Sequence, residues 1–351
     1  MRRIPAPSYP HRLQLRLVQV HRSLAILAFL LMAIPGFSAS EWVRAGVNTN
    51  QPIWGLREGL LWAIPPAGFR PPEPRGLIRL GAPILPGGSH DLVNFIAIEP
   101  IVRGHRGYSE LERSQADRRS GKRIHARPSE GGAATNLVPG SIRQLPGGHE
   151  ELEVVLDVEK FENGAHVRLV IRQRSDRPDE IEFGVFKQPD SAALDECILT
   201  ATMGNMARTR RLWLKDEVVK SLELYRDYKG TAFAPTKEFP LARLHRTVSG
   251  SVLVAVTNDE EAPATVFPFP RSRLWHYGGR PVTQYWAKPA GTFRDDLRAA
   301  VNARYTYWLS DKPIPGGIAF ENFELRERFY DGQIFVFGIT GHTPEALGFV
   351  K

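Results

Sequence analysis

From Ile53 onward the chain alternates short apolar runs with clusters of Gly, Pro, Asn and Asp. That spacing predicts strands joined by turns, with little helix. The clearest case is a meander: ELEVVLDVEKF, a turn at Glu162-Asn163-Gly164, AHVRLVIRQRS, a turn around Arg177-Pro178-Asp179, then EIEFGVFKQ. Asn-Gly between alternating runs is a strong hairpin signal. In the middle run Ala165, Val167, Leu169 and Ile171 take one face, and His166, Arg168, Val170 and Arg172 the other. One face is therefore buried and the other wet or functional. CILTATMG, RRLWLKDEVV, SGSVLVAVTND and QIFVFGIT read as further strands. One helix is expected over 293–309, where Leu297, Ala300, Val301, Tyr305 and Trp308 recur at three- and four-residue steps. Residues 113–140 are polar and Gly-rich and are expected to form an exposed excursion. The pattern predicts a mostly β protein: a large antiparallel β-sandwich, jelly-roll or supersandwich, with one or two short helices. A single domain over 41–351 is expected, with two smaller sandwiches divided near 130–150 as the alternative.

The first forty residues read differently. Five arginines and no acid precede SLAILAFLLMAIPG, and Ser38-Ala39-Ser40 follows. This is the layout of a secretory signal peptide cleaved near Ser40. The apolar run is short for a membrane span, which needs about 20 residues. An exported protein, periplasmic or extracellular and without a stable span after cleavage, is expected; an uncleaved signal anchor is the alternative. Loss of the leader changes the charge. Lys+Arg falls from 46 to 41 against 38 Asp+Glu, so the net charge drops from +8 to +3. A nucleic-acid partner then loses its main support. The single cysteine, Cys197, excludes an intramolecular disulfide and reads as a small buried hydrophobe. No zinc spacing, dinucleotide loop, P-loop, serine elbow or calcium loop occurs. No metal site is predicted and no cofactor is assigned.

Candidate chemistry begins with NFIAIEPIV, 94–102, where Glu99 interrupts an apolar strand. An ionised carboxylate there costs several kcal/mol unless paired or partly solvated. It has three outcomes: a core ion pair with an Arg, a strand end at Pro100, or a cleft acid of raised pKa. Just downstream, RGYSELERS carries Glu110 and Glu112 as further acids, with a solvated turn as the alternative. In GGIAFENFELRERF, 316–329, Asn322 and Glu324 share one face and Glu321 takes the other. Amide plus carboxylate suits sugar hydroxyls, and paired carboxylates suit glycoside hydrolysis. The alternative pairs these acids with Arg326 and Arg328. The catalytic candidates are Glu99, Glu321 and Glu324, with His166 as an alternative base. Arg168, Arg208 and Arg210 could hold an anionic group such as a uronate. Tyr285 and Trp286, within a run of aromatics from Trp275 to Trp308, could stack on sugar rings. Trp308 itself reads as core.

In length and composition the chain resembles large secreted bacterial β-sandwich proteins that act on or bind carbohydrate. SELER, 109–113, is similar to the Arg-Ser/Thr-Glu-Leu-Arg strand of alginate-lyase-type jelly rolls, with Tyr108 in place of the first Arg and Glu112 in place of the second. The Gln-x-His and Tyr-Phe-Lys-Ala-Gly signatures of that family are absent, so it lends no catalytic residue. Mutarotase-like supersandwiches fit the length equally well, and that resemblance implies a His and a Glu as base and acid. The expected function is acid/base chemistry on a polysaccharide or oligosaccharide, as lyase or hydrolase. The alternative is a non-catalytic carbohydrate-binding or cell-envelope structural protein.

Overall fold

A computed structural model describes residues 41–64, 75–83, 90–126, 137–202, 208–258, 282–308 and 310–350. In chain order the strands are β1 (Trp42–Val43), β2 (Ile53–Leu56), β3 (Leu61–Ala63), β4 (Leu77–Ala82), β5 (Asp91–Val102), β6 (His105–Arg106) and β7 (Ile124–His125). Next come β8 (Ser141–Gln144), β9 (Glu150–Val158), β10 (Val167–Arg174), β11 (Arg177–Lys187), β12 (Glu196–Thr202), β13 (Thr209–Trp213) and β14 (Val218–Lys220). The chain continues through α1 (Ser221–Leu224), β15 (Lys237–Pro240), β16 (His245–Arg246), β17 (Val252–Asn258), β18 (Thr283–Lys288), β19 (Arg298–Arg304), β20 (Ala319–Arg326) and β21 (Gln333–Thr340).

Among the described residues these strands make two antiparallel sheets. The first runs β1-β2-β3-β4-β5-β12-β20-β19-β15, with β6 paired to β5. The second runs β14-β13-β17-β18-β21-β11-β10-β9-β7, with β16 paired to β17 and β8 to β9. They pack as a sandwich because each strand turns one alternating set of apolar side chains inward. Ile96, Ile98, Leu199, Val301, Phe323 and Leu325 of the first sheet share a core with Leu169, Ile171, Phe183, Trp286, Phe335 and Phe337 of the second. Trp286 ties the layers together: its Nε1 donates to Phe323 O at 3.0 Å, and its ring centroid lies 4.7 Å from that of Phe337.

The meander forms as expected, as β9, β10 and β11, and Ala165, Val167, Leu169 and Ile171 are fully buried. The helix expected over 293–309 does not form. Arg298–Arg304 is strand β19, paired with β20 and β15. Leu297, Ala299, Val301 and Ala303 satisfy the strand period as well as the helical one, and all four are in the core. With small residues at both sets of positions, the neighbouring strands decided between the periods.

The stretch 113–140 is not simply exposed. Ser114 and Lys122 are fully buried. Lys122 Nζ donates to Arg113 O at 3.0 Å and pairs with Glu112. Ile124–His125 joins β9. On the near side of 130–150 stands β7 and within it β8, and both pair with β9 of one sheet. Ala39–Lys351 makes one compact unit. The expected leader, 1–40, lies outside the described residues. No helix among the described residues is long and apolar enough to cross a membrane.

Candidate functional site

The site follows from the alternation along β5. Ile96 and Ile98 point to the inter-sheet core, while Phe95, Ala97 and Glu99 point to the opposite, outer face of the first sheet. Across that face the register sets Ala97, Thr200, Glu324 and Ala300 in one row on β5, β12, β20 and β19. Small side chains in this row leave space beside Glu324.

Pro100 does not end the strand. Its carbonyl accepts from Gly107 N–H at 2.8 Å. The N and O of one strand residue point to the same side, so the missing donor faces the β6 side and costs no bond to β12. β5 therefore runs on to Val102. Arg103 and Gly104, with φ of 49° and 76°, then make a two-residue turn of the type that favours hairpins. The turn returns Arg106 opposite Ile101. There Arg106 Nη2 contacts Glu99 Oε2 and, at 3.2 Å, Glu324 Oε2.

The next residues form a wall. Ser109 N–H donates to Ile98 O (3.1 Å), Ile98 N–H donates to Ser109 Oγ (2.9 Å), and that hydroxyl donates to Gly76 O (2.6 Å). Tyr108 and Glu110 are thereby held on either side of a pinned residue. Gly76 has φ +75°, and a Cβ there would stand 1.9 Å from Ser109 O. On the far side, the register slips between Val301 and Ala303, so Glu321 and Asn322 face the single residue Asn302. Asn322 N–H donates to Asn302 Oδ1 at 3.1 Å. Such a bulge re-aims side chains, and both Glu321 and Asn322 reach the same space as Glu324.

The result is a cavity of about 620 Å³, within the range of small-molecule sites. Glu99, Glu110, Glu321 and Glu324 line it with Arg106, Asn302, Asn322 and Thr202; Tyr108, Phe233 and Trp308 supply aromatic surface. Arg106 Nε, Glu110 Oε2 and Asn322 Oδ1 are buried without a hydrogen-bond partner among the described residues. Burial pushes the Glu99 carboxyl well above the usual carboxylate range; Arg106 opposes this, and Glu110 and Glu324 reinforce it. Burial likewise pushes Glu110 up to about 7, against its own backbone N–H and Arg106 and with help from Glu112. Burial works against the Arg106 charge, but Glu324 and Glu99 more than offset it and hold the guanidinium firmly protonated. The Tyr108 phenol is also raised, by burial first. The group thus sets a carboxyl with a raised pKa, Glu110, beside a second carboxyl, Glu324, in contact with an arginine, the kind of pair that acid/base catalysis uses. Among the described residues no cluster of His, Cys, Asp or Glu is arranged to hold a metal ion.

Glu99, Glu321, Asn322 and Glu324 therefore come together. Of the three outcomes for Glu99, it takes two: it is paired with an Arg and it lines a cleft. Arg326 and Arg328 do not neutralise the neighbouring acids. Arg326 pairs with Glu196 and Glu238, and Arg328 with Asp296. The remaining candidates lie elsewhere. His166 Nδ1 meets Asp190 at 2.6 Å, and Arg168 pairs with Asp157. Arg210 is buried, its guanidinium donating to the carbonyls of Pro315, Gly317 and Ile318. Arg208 stands just before β13 in left-handed backbone, φ 52°. β13 and β10 are five strand spacings apart in the second sheet, about 24 Å at ~4.8 Å each, so these residues form no common anion site. Tyr285 is buried and donates to Glu180 at 2.8 Å, and Trp286 belongs to the core. Trp275, His276 and Tyr277 lie outside the described residues.

Sequence does not single out Arg106, Asn302 or Phe233, marks Tyr108 only as a replacement in the lyase-like stretch, leaves Glu110 open between a site acid and a solvated turn, and assigns Trp308 to the core. The Arg103-Gly104 pair was the available signal for Arg106, since it marks a hairpin that returns a cation next to Glu99.

The fold and the cavity define an antiparallel β-sandwich protein with an acid-lined pocket on the outer face of one sheet. No family model matches the chain, and no curated protein matches it. Among solved structures, one described as "Crystal Structure Analysis of HI1317" aligns with 86% of this chain and 99% of its own length, at 9% identity and a TM-score of 0.22. At that TM-score the likeness carries no argument about fold or function.

Proposed function

We propose that the cavity is an acid/base site for a neutral carbohydrate and that the protein, exported from the cell, hydrolyses glycosidic bonds. The observation that carries the reading is the gathering of Glu99, Glu110 and Glu324 around the Arg106 guanidinium in one cavity. Glu110, with its pKa near 7 and an unpartnered oxygen, is the proton donor to the leaving oxygen. Glu324, held against Arg106, is the carboxylate that attacks or activates water. Glu99 sets the field of both from behind the guanidinium. Asn302 and Asn322 offer the donors and acceptors that sugar hydroxyls require. An excess of carboxyl groups disfavours a uronate, and Arg168 and Arg210 lie on the second sheet, where they bond to Asp157 and to backbone carbonyls. The stretch that resembles the lyase strand supplies Tyr108, Glu110 and Leu111 to the cavity, without the arginines that would neutralise an acidic polymer.

The Glu99–Arg106 ion pair favours a second reading, in which the acids are structural and the cavity only binds. One assay separates the two. Purified protein is incubated with starch, cellulose, xylan and mannan, and with alginate and pectate, while new reducing ends and unsaturated-uronate absorbance are followed. The expected result is reducing ends without absorbance from a neutral polymer. Glu110→Gln and Glu324→Gln should each lower the rate by about 10²–10⁴-fold, the worth of one positioned proton-transfer group. Absorbance with alginate or pectate means a lyase and overturns the reading. Sugar binding without any turnover means a binding protein.

A further inference from the structure

Two of the aromatic residues in the cavity also line a second one. Phe233 and Trp308 stand between the acid cavity and a more open cavity of about 750 Å³ bordered by Thr231, Ser310 and Asp311. Their ring centroids are 5.7 Å apart. Arg304, only 5% exposed, also borders the open cavity, with its Cζ 5.0 Å from the Phe233 centroid and 5.2 Å from that of Trp308. It also fixes the two segments that carry the rings. Its Nη2 donates to Thr231 O at 2.7 Å and its Nε to Thr306 O at 3.1 Å. The rings are therefore a held surface, and Phe233 still keeps 40% of its surface in water.

We propose that the Phe233–Trp308 pair is a sugar-stacking wall that carries a neutral oligosaccharide from the acid cavity into the adjacent open one. The inference rests on the carbohydrate reading above and deepens it: the ligand is a chain, not a single sugar. A sugar face is apolar across its C–H bonds and stacks on aromatic rings, while its rim needs hydroxyl and carboxylate partners. Thr231, Ser310 and Asp311 supply those partners on the open side, as the glutamates and asparagines do on the closed side. A monosaccharide in the acid cavity would leave the outer side of the wall wet. A chain covers both sides, with the reacting bond placed at the acids.

The test is calorimetric titration of the purified protein, in a Glu110→Gln background that blocks turnover, with glucose, xylose and mannose and with their β-1,4-linked tetrasaccharides. Phe233→Ala removes an exposed ring, and Trp308→Phe keeps a ring while changing its face; unchanged melting curves show that both variants fold. The expected result is one tetrasaccharide bound at least about tenfold more tightly than its monosaccharide, roughly the worth of an aromatic contact. Phe233→Ala should erase that preference, weakening the tetrasaccharide more than the monosaccharide. Equal affinity for both lengths, or a preference that survives Phe233→Ala, overturns the wall and leaves the acid site standing. Failure of every sugar to bind overturns both.

Discussion

Glu99 is tolerated in an apolar strand because the chain folds a guanidinium back onto it within seven residues. Arg106 meets Glu99 and Glu324 at once, and all three are wholly or mostly buried. Removing one member of a buried ion cluster leaves the others charged and uncompensated, which costs about 3–5 kcal/mol. Arg106→Ala should therefore destabilise the protein by that amount near pH 8. The deficit should shrink as the pH falls and Glu99, whose carboxyl is held well above the usual carboxylate range by burial, takes up its proton. Thermal melts of wild type and variant at pH 5 and pH 8 check this; an equal deficit at both values would mean that Arg106 contributes packing rather than charge. Legibility ended at this scale. That Glu99 is anomalous could be read from its apolar neighbours. That Glu110 is a cavity acid could not, because a Glu in a polar turn looks the same whether it faces water or a wall.

At the scale of elements, alternation was a good guide wherever the two faces differ chemically, as in β10. It failed in β19, where Ala299, Ala300 and Ala303 satisfy both periods. It also failed at Ser114 and Lys122, polar side chains buried by bonding to Glu159 and to the Arg113 carbonyl. The cavity is made by three local devices: the Arg103-Gly104 turn, the slip in register at Asn302, and the docking of Ser109 between Gly76 and Ile98. The last can be tested directly. Gly76→Ala adds a carbon 1.9 Å from Ser109 O in left-handed backbone, and overpacking of this kind costs about 1–3 kcal/mol. The melting temperature should fall, and ligand affinity with it, because the Tyr108–Glu110 wall moves. A melting curve unchanged from wild type would show that the wall is not fixed there.

At the scale of the whole molecule the sandwich was legible because both sheets follow the same rule of one apolar face per strand. Which outer-face residues become neighbours was not, since that depends on the order β5-β12-β20-β19, which no local pattern encodes. Glu324 lies on β20 of the first sheet, whereas Arg168 and Arg210, the candidate anion holders, lie on β10 and β13 of the second. The acid cavity also shapes stability. Glu110 titrates near 7 when folded and near 4.5 when free of its surroundings. The folded chain thus holds more protons than the unfolded chain between those values, so stability falls as pH rises through the window and levels off above about 7. Glu99 contributes in the same direction. Glu110→Gln should flatten part of that fall in a denaturant series from pH 4 to 8. The measurement that tests the account most directly is a carbon-13 NMR titration of side-chain carboxyls in protein labelled at glutamate. A resonance with its midpoint near 7, missing from Glu110→Gln, is the predicted result. Titration of every glutamate below about 5, the ordinary solvated range, would contradict an acid held ready for catalysis in this cavity.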